Sequence, residues 1–164
     1  MTIVPRTPVE TALPGQLLDL AFEDASDLMV IIRVAPGGRF YAERANRSAA
    51  RFFGRAAPEP VPGEGRQDDL ETRMIRDAGW SEAQARAALA PHREAVRTRQ
   101  PVSGASELRA ACGEQLFRRF TLTPVLDGAG RVTHLFYRGE DLTEQRRSDE
   151  RFEALLRAVP ASMS

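Results

Sequence analysis

The 164 residues include 23 basic and 23 acidic side chains and are 42% hydrophobic, enough apolar content for one domain with flanking segments. Zero net charge gives no global field to recruit nucleic acid or an anionic membrane, so neither is an expected partner. Every basic residue is arginine, which removes a P-loop lysine, a Schiff-base lysine and a lysine general base from the chemistry open to this segment.

Residues 1–16 contain Pro5, Pro8 and Pro14 and read as an irregular lead-in without the basic and apolar regions of a secretory leader. Leu17, Leu18, Ala21 and Phe22 mark a short helix face. Residues 28–34 are β-rich, Pro36, Gly37 and Gly38 turn the chain, and residues 39–42 return, giving a hairpin. The apolar run at 28–32 is far too short to cross a bilayer. Asn46 is placed to cap a helix over 47–53 that presents Ala49, Phe52 and Phe53 and stops at Gly54. Pro58, Pro60, Pro62 and Gly63 make the next stretch a loop. A helix follows over 70–78, ending at Gly79. Ser81 and Gln84 form a capping box for another, expected to break or restart at Pro91 and to end before Pro101.

Residues 102–111 alternate weakly and read as a strand. Cys112 is the only cysteine, which excludes an internal disulfide and suits a reducing, cytoplasmic setting; it reads as a semi-buried apolar residue. Phe120, Leu122 and Pro124 alternate along a strand that should finish near Pro124, and residues 127–130 turn it into a last strand beginning at Val132. That strand runs through Asp141, Leu142 and Thr143 into an amphipathic helix, with Thr143 and Glu144 at the capping positions and Phe152, Leu155, Leu156 and Val159 on one face. Two strands, several short helices and three strands in that order imply an α+β fold.

Residues 28–38, the run from Asn46 to Gly54, Pro124 with Asp127 and Gly130, and above all Asp141-Leu142-Thr143-Glu144-Gln145-Arg146-Arg147 resemble bacterial PAS domains, many of which end in Asp-Ile-Thr-Glu-Arg-Lys. The resemblance implies a PAS fold: a five-stranded antiparallel sheet with short helices on one face and flanking amino- and carboxy-terminal helices. It implies a lead-in at 1–16, a sensor domain at 17–143 and a signalling or linker helix at 144–164. Residues 152–163 can also be laid against 18–29, so this helix either opens a second PAS domain or packs as an amphipathic tail.

The function implied is signal transduction within a sensor histidine kinase or diguanylate cyclase type of protein, as a regulatory rather than catalytic domain. The partners implied are a small ligand, a second copy in a homodimer, and a covalently linked effector or second PAS domain; the alternative is a ligand-free dimerisation module. Asp141, Leu142, Thr143 and Arg146 are the expected signal-transmission junction, with Arg146 or Arg147 pairing with Asp141. Phe152, Leu155, Leu156 and Val159 are the expected dimer or linker face. Candidate pocket residues are Phe53, Met74, Trp80, Leu108, Phe120, Leu122, His134 and Phe136, and a single convergent arginine among them would select an anion. Flavin is disfavoured because Arg47 and Ser48, not a cysteine, follow Asn46. Haem is disfavoured because His92 lies about one turn too near Pro101 and reads as solvated, while His134 reads as structural; the two share no metal-binding spacing.

Overall fold

In a computed structural model the described residues are 9–53, 68–109 and 114–160. Gly54, the proline-rich loop, Cys112 and Gly113, for which the sequence predicts a helix stop, a loop, a semi-buried thiol and a turn, lie outside them. Helix α1 (Val9–Asp24) leads into strands β1 (Leu28–Ala35) and β2 (Arg39–Ala45), followed by helices α2 (Arg47–Phe53), α3 (Leu70–Arg76) and α4 (Glu82–Thr98). Strands β3 (Val102–Arg109), β4 (Gln115–Leu126) and β5 (Val132–Asp141) complete the sheet, and α5 (Thr143–Ala158) leaves it. The sheet is antiparallel throughout, in the order β2-β1-β5-β4-β3. This is the α+β architecture expected from the sequence.

Alternation assigns the faces. Leu28, Val30 and Ile32 of β1, Phe40 and Ala42 of β2, Phe120 and Leu122 of β4, and Leu135 and Tyr137 of β5 are buried, and they form the core with Ala49, Leu89 and Ala95 of the helices. The opposite face carries a polar cluster. The β1–β2 register shifts so that Glu43 is the extra residue, and its carboxylate meets both Arg33 and His134.

Asn46 holds the first corner. Its Oδ1 accepts from the Met29 and Ala49 amides and its Nδ2 donates to the Asp27 carbonyl, so one fully buried amide ties β1 to the start of α2.

Three boundaries differ from the sequence reading. Helix α1 begins at Val9 and runs through Pro14, where a lead-in was expected; the proline ring forgoes one helix bond without ending the helix. Helix α4 likewise passes through Pro91 unbroken, because buried Leu89, His92 and Ala95 on both sides of the proline pin it to the sheet. Strand β4 continues past Pro124 to Leu126. Strand β3 has already ended opposite Leu122, so on that side of Pro124 no ladder partner waits for the missing amide hydrogen.

Candidate ligand cleft and helix junction

A cleft of about 700 Å³ opens between α4 and the helix-facing side of β3, β4 and β5, lined by Trp80, Ala87, Ala88, Pro91, His92, Gly104, Ser106, Arg118, Phe120 and Tyr137 among others. That size falls in the range of small-molecule sites. Gly104 opens it: a Cβ there would meet the Phe120 ring at 2.9 Å.

Arg118 is the charged group at the centre of the wall. It shares the inward parity of Leu116, Phe120 and Leu122, and it is buried. Its Nε donates to Ser106 Oγ at 3.0 Å and its Nη1 to the Tyr137 hydroxyl at 2.9 Å, while the guanidinium lies 5.4–5.5 Å from the rings of Phe53, Phe120 and Tyr137. No carboxylate pairs with it among the described residues. Burial lowers its pKa from the usual arginine value, but a guanidinium stays charged. Burial in turn raises the Tyr137 phenol, and the adjacent Arg118 charge opposes that rise.

His92 corrects an expectation. It is not solvated: α4 carries it inward with Leu89 and Ala95, its ring lies 5.4 Å from Phe40, and its buried Nδ1 has no hydrogen-bond partner among the described residues. Burial first, then the charge of Arg118, pushes its pKa down to about 4, against a weaker upward pull from the Ala88 carbonyl, so the ring is neutral at pH 7.

The other predicted pocket residues separate. Trp80 and Phe120 line the cleft. Phe53, Met74 and Leu122 belong to the core beside it. His134 and Phe136 do not reach it: they have the opposite parity from Leu135 and Tyr137, and His134 meets Thr133 and Glu43 on the far face. The side chain of Leu108 lies outside the described residues. Sequence reasoning missed Arg118, His92 and Tyr137, although the two-residue period of β4 and β5 and the Leu89-His92-Ala95 spacing in α4 carried the signal.

At this same end of β4, beside Arg118, Asp141, Leu142, Thr143 and Arg146 come together around Phe117. The Leu142 amide donates to the Phe117 carbonyl, and the Phe117 amide donates to Thr143 Oγ1 at 3.1 Å. Asp141 Oδ1 accepts from both the amide and the hydroxyl of Thr143. The N-cap is Leu142, not Thr143, and it makes no side-chain cap bond; Asp141 supplies the acceptor from one residue earlier. The arginines also depart from expectation. Arg146 lies over the Phe117 ring at 5.3 Å and pairs with Glu150, and Arg147 pairs with Glu114, so neither pairs with Asp141. Beyond the junction Phe152, Leu155, Leu156 and Val159 are exposed, as are Leu17, Leu18 and Leu20 of α1.

No family model matches the chain, and no curated protein matches it significantly. Solved structures do. An RNA-binding Light-Oxygen-Voltage receptor matches over 95% of this chain with a TM-score of 0.58 and 28% identity; the chain spans 41% of that protein's length. The PAS domain of a Colwellia psychrerythraea protein matches over 80% of this chain and 98% of its own, with a TM-score of 0.54 and 14% identity. The chain has the PAS fold. A Vibrio cholerae VqmA dimer, described in terms of target DNA and LuxR-type receptors, matches 80% of this chain and 52% of its own at a TM-score of 0.54 and 18% identity.

At the place weighed for flavin in the sequence, the side chains are engaged within the fold. Asn46 is consumed by the first corner, Arg47 faces Asp24, and Ser48 donates to the Ala25 carbonyl. Among the described residues no three His, Cys, Asp or Glu side chains converge as a metal site, and no helix is long and apolar enough to cross a membrane.

Proposed function

We propose that this PAS domain is the sensory module of a signal-transduction protein, binding a small molecule in the α4–β3–β4 cleft and passing the change to an effector through α5. The observation that carries the reading is the adjacency of Arg118 and Phe117. One residue of β4 faces the cleft, and the next bonds through both backbone groups to the start of α5. A ligand that moves this part of β4 therefore acts on the helix junction without any intermediate element. Such transmission needs two arrangements of the junction with different ligand affinities.

The domain limits follow as part of the proposal: residues 17–143 sense, and residues 144–164 link to an effector or open a second PAS domain. A histidine kinase or diguanylate cyclase remains the favoured output, with the domain itself regulatory. The structural neighbours described as RNA-binding and as recognising target DNA add a nucleic-acid-binding output to that set. Charge balance therefore argues only against nucleic acid on this segment.

The test is native mass spectrometry of the purified protein with an absorption spectrum, followed by hydrogen exchange in the presence and absence of any retained molecule. A ligand that protects β3 and β4 and also changes exchange in α5 supports the reading. Protection that stops at Phe117 refutes the coupling. A second reading, a ligand-free homodimerisation module, is favoured by the exposed apolar residues of α1 and α5, and a bare polypeptide of dimer mass with no ligand response supports it instead.

A further inference from the structure

Among the described residues, the cleft wall contains a cation without a counter-ion. Guanidinium offers five N–H donors, and the structure uses two of those of Arg118, on Ser106 and Tyr137. Both acceptors are neutral. The only carboxylate on the cleft wall among the described residues, Glu107, is exposed and accepts from Gln115. The other titratable groups deep in the wall, His92 and Tyr137, are both neutral at pH 7, so they neither cancel nor double the charge that a ligand meets. Around the guanidinium stand the flat rings of Phe53, Phe120 and Tyr137, and Trp80 also lines the cleft.

We propose that the cleft takes a small organic monoanion, a carboxylate on a flat apolar body, with Arg118 as the residue that selects the charge. This rests on the ligand-binding reading above. A carboxylate accepts charge-assisted bonds from the Nη1–Nη2 fork, of which Tyr137 takes only one hydrogen, whereas an uncharged body leaves the buried cation as it is. Ser106 and Tyr137 hold the fork in orientation, so it is preorganised and not assembled on binding. One guanidinium beside a neutral imidazole matches one negative charge, and Glu107 at the rim repels a second.

Trp80 is the only tryptophan and lines the cleft, so its fluorescence reports occupancy directly. The experiment titrates the full chain with a panel of aromatic monocarboxylates, including benzoate, phenylacetate and 2-naphthoate, each beside its neutral primary amide, with calorimetry as the second readout. The expected result is at least a tenfold preference for the acid over its amide in the best-bound pair. Arg118→Met removes that preference while leaving amide binding, and Arg118→Lys, which keeps the charge and loses the fork, retains part of it. A melting curve for each variant establishes that it is folded, and Tyr137→Phe, which loosens the fork without removing the charge, supplies an independent several-fold loss in acid affinity should Arg118→Met not fold. Acids and amides bound equally well overturn the anion assignment and leave the cleft as a ligand site. Failure of every acid and every amide overturns both.

Discussion

Replacing Thr143 by valine removes one hydroxyl from the junction and nearly nothing else. Thr143 is buried, and its Oγ1 both accepts the Phe117 amide and donates to Asp141. Valine fills the same volume, so no cavity opens, but the Phe117 amide loses its acceptor in a part-buried place, a cost of about 1–3 kcal/mol. Asp141 is exposed and recovers the lost donor from water, while still accepting from the residue 143 amide, so that side adds little. The expected destabilisation is about 2 kcal/mol, read from denaturant unfolding. The sharper assay is amide hydrogen exchange, because the damage is local: at Phe117 and Leu142, exchange should rise about tenfold or more relative to Leu122 in the middle of β4. An unchanged Phe117 amide, or a loss below about 0.5 kcal/mol, refutes the claim that this hydroxyl closes the sheet onto α5.

Asp141→Ala leaves the fold intact, at a cost of about 1 kcal/mol, and loosens α5 more than the sheet; a globally unfolded variant in circular dichroism counts against that division. Asn46→Ala strands the Met29 and Ala49 amides and the Asp27 carbonyl together and should cost about 3 kcal/mol or more, measured by urea unfolding, where a loss under 1 kcal/mol contradicts the corner's role. Leu155→Glu with Leu156→Glu lowers the sedimentation mass of a dimer, since both are exposed and apolar on α5; an unchanged mass removes them from the interface. His92 has a folded pKa below its unfolded value of 6.5, so the unfolded chain binds the proton first. Its neutral form is fully accommodated above that pH, and stability falls as pH drops from about 6.5 to about 4, by up to about 1.4 kcal/mol per pH unit. His92→Gln flattens that part of the profile relative to the parent, and parallel profiles exclude His92 as the cause.

The fold was legible because its signals are local. Asn46, the Ser81–Gln84 capping box and the alternation of β4 each specify their own geometry within a few residues, and each appears in the structure as read. The cleft was less legible because its members meet only through the sheet register. Ser106 stands opposite Arg118 on β3, and Tyr137 opposite Leu122 on β5, a pairing that no local spacing announces. The resemblance puts His134 and Phe136 in the pocket, yet one residue of parity places them on the other face. His92 was read from its charged neighbours Arg93 and Glu94 when the residues three positions away, Leu89 and Ala95, decide the helix face.

On the proposed reading, strand β4 lets sensing and output share so small a domain. Its inward residues build the cleft and its outward neighbour Phe117 has no β5 partner left, because the β4–β5 ladder ends at Arg118 opposite Asp141. The two backbone groups of Phe117 are therefore free to bond to Leu142 and Thr143, and α5 begins as a continuation of the ladder. A guanidinium drawn towards a ligand, on the proposed reading, pulls on a Cα of that last pair, beside Phe117. The contacts within reach are few hydrogen bonds of about 1 kcal/mol each, comparable with the differential affinity needed to shift a two-state junction. A buried cation placed anywhere else on the sheet would bind as well and transmit less.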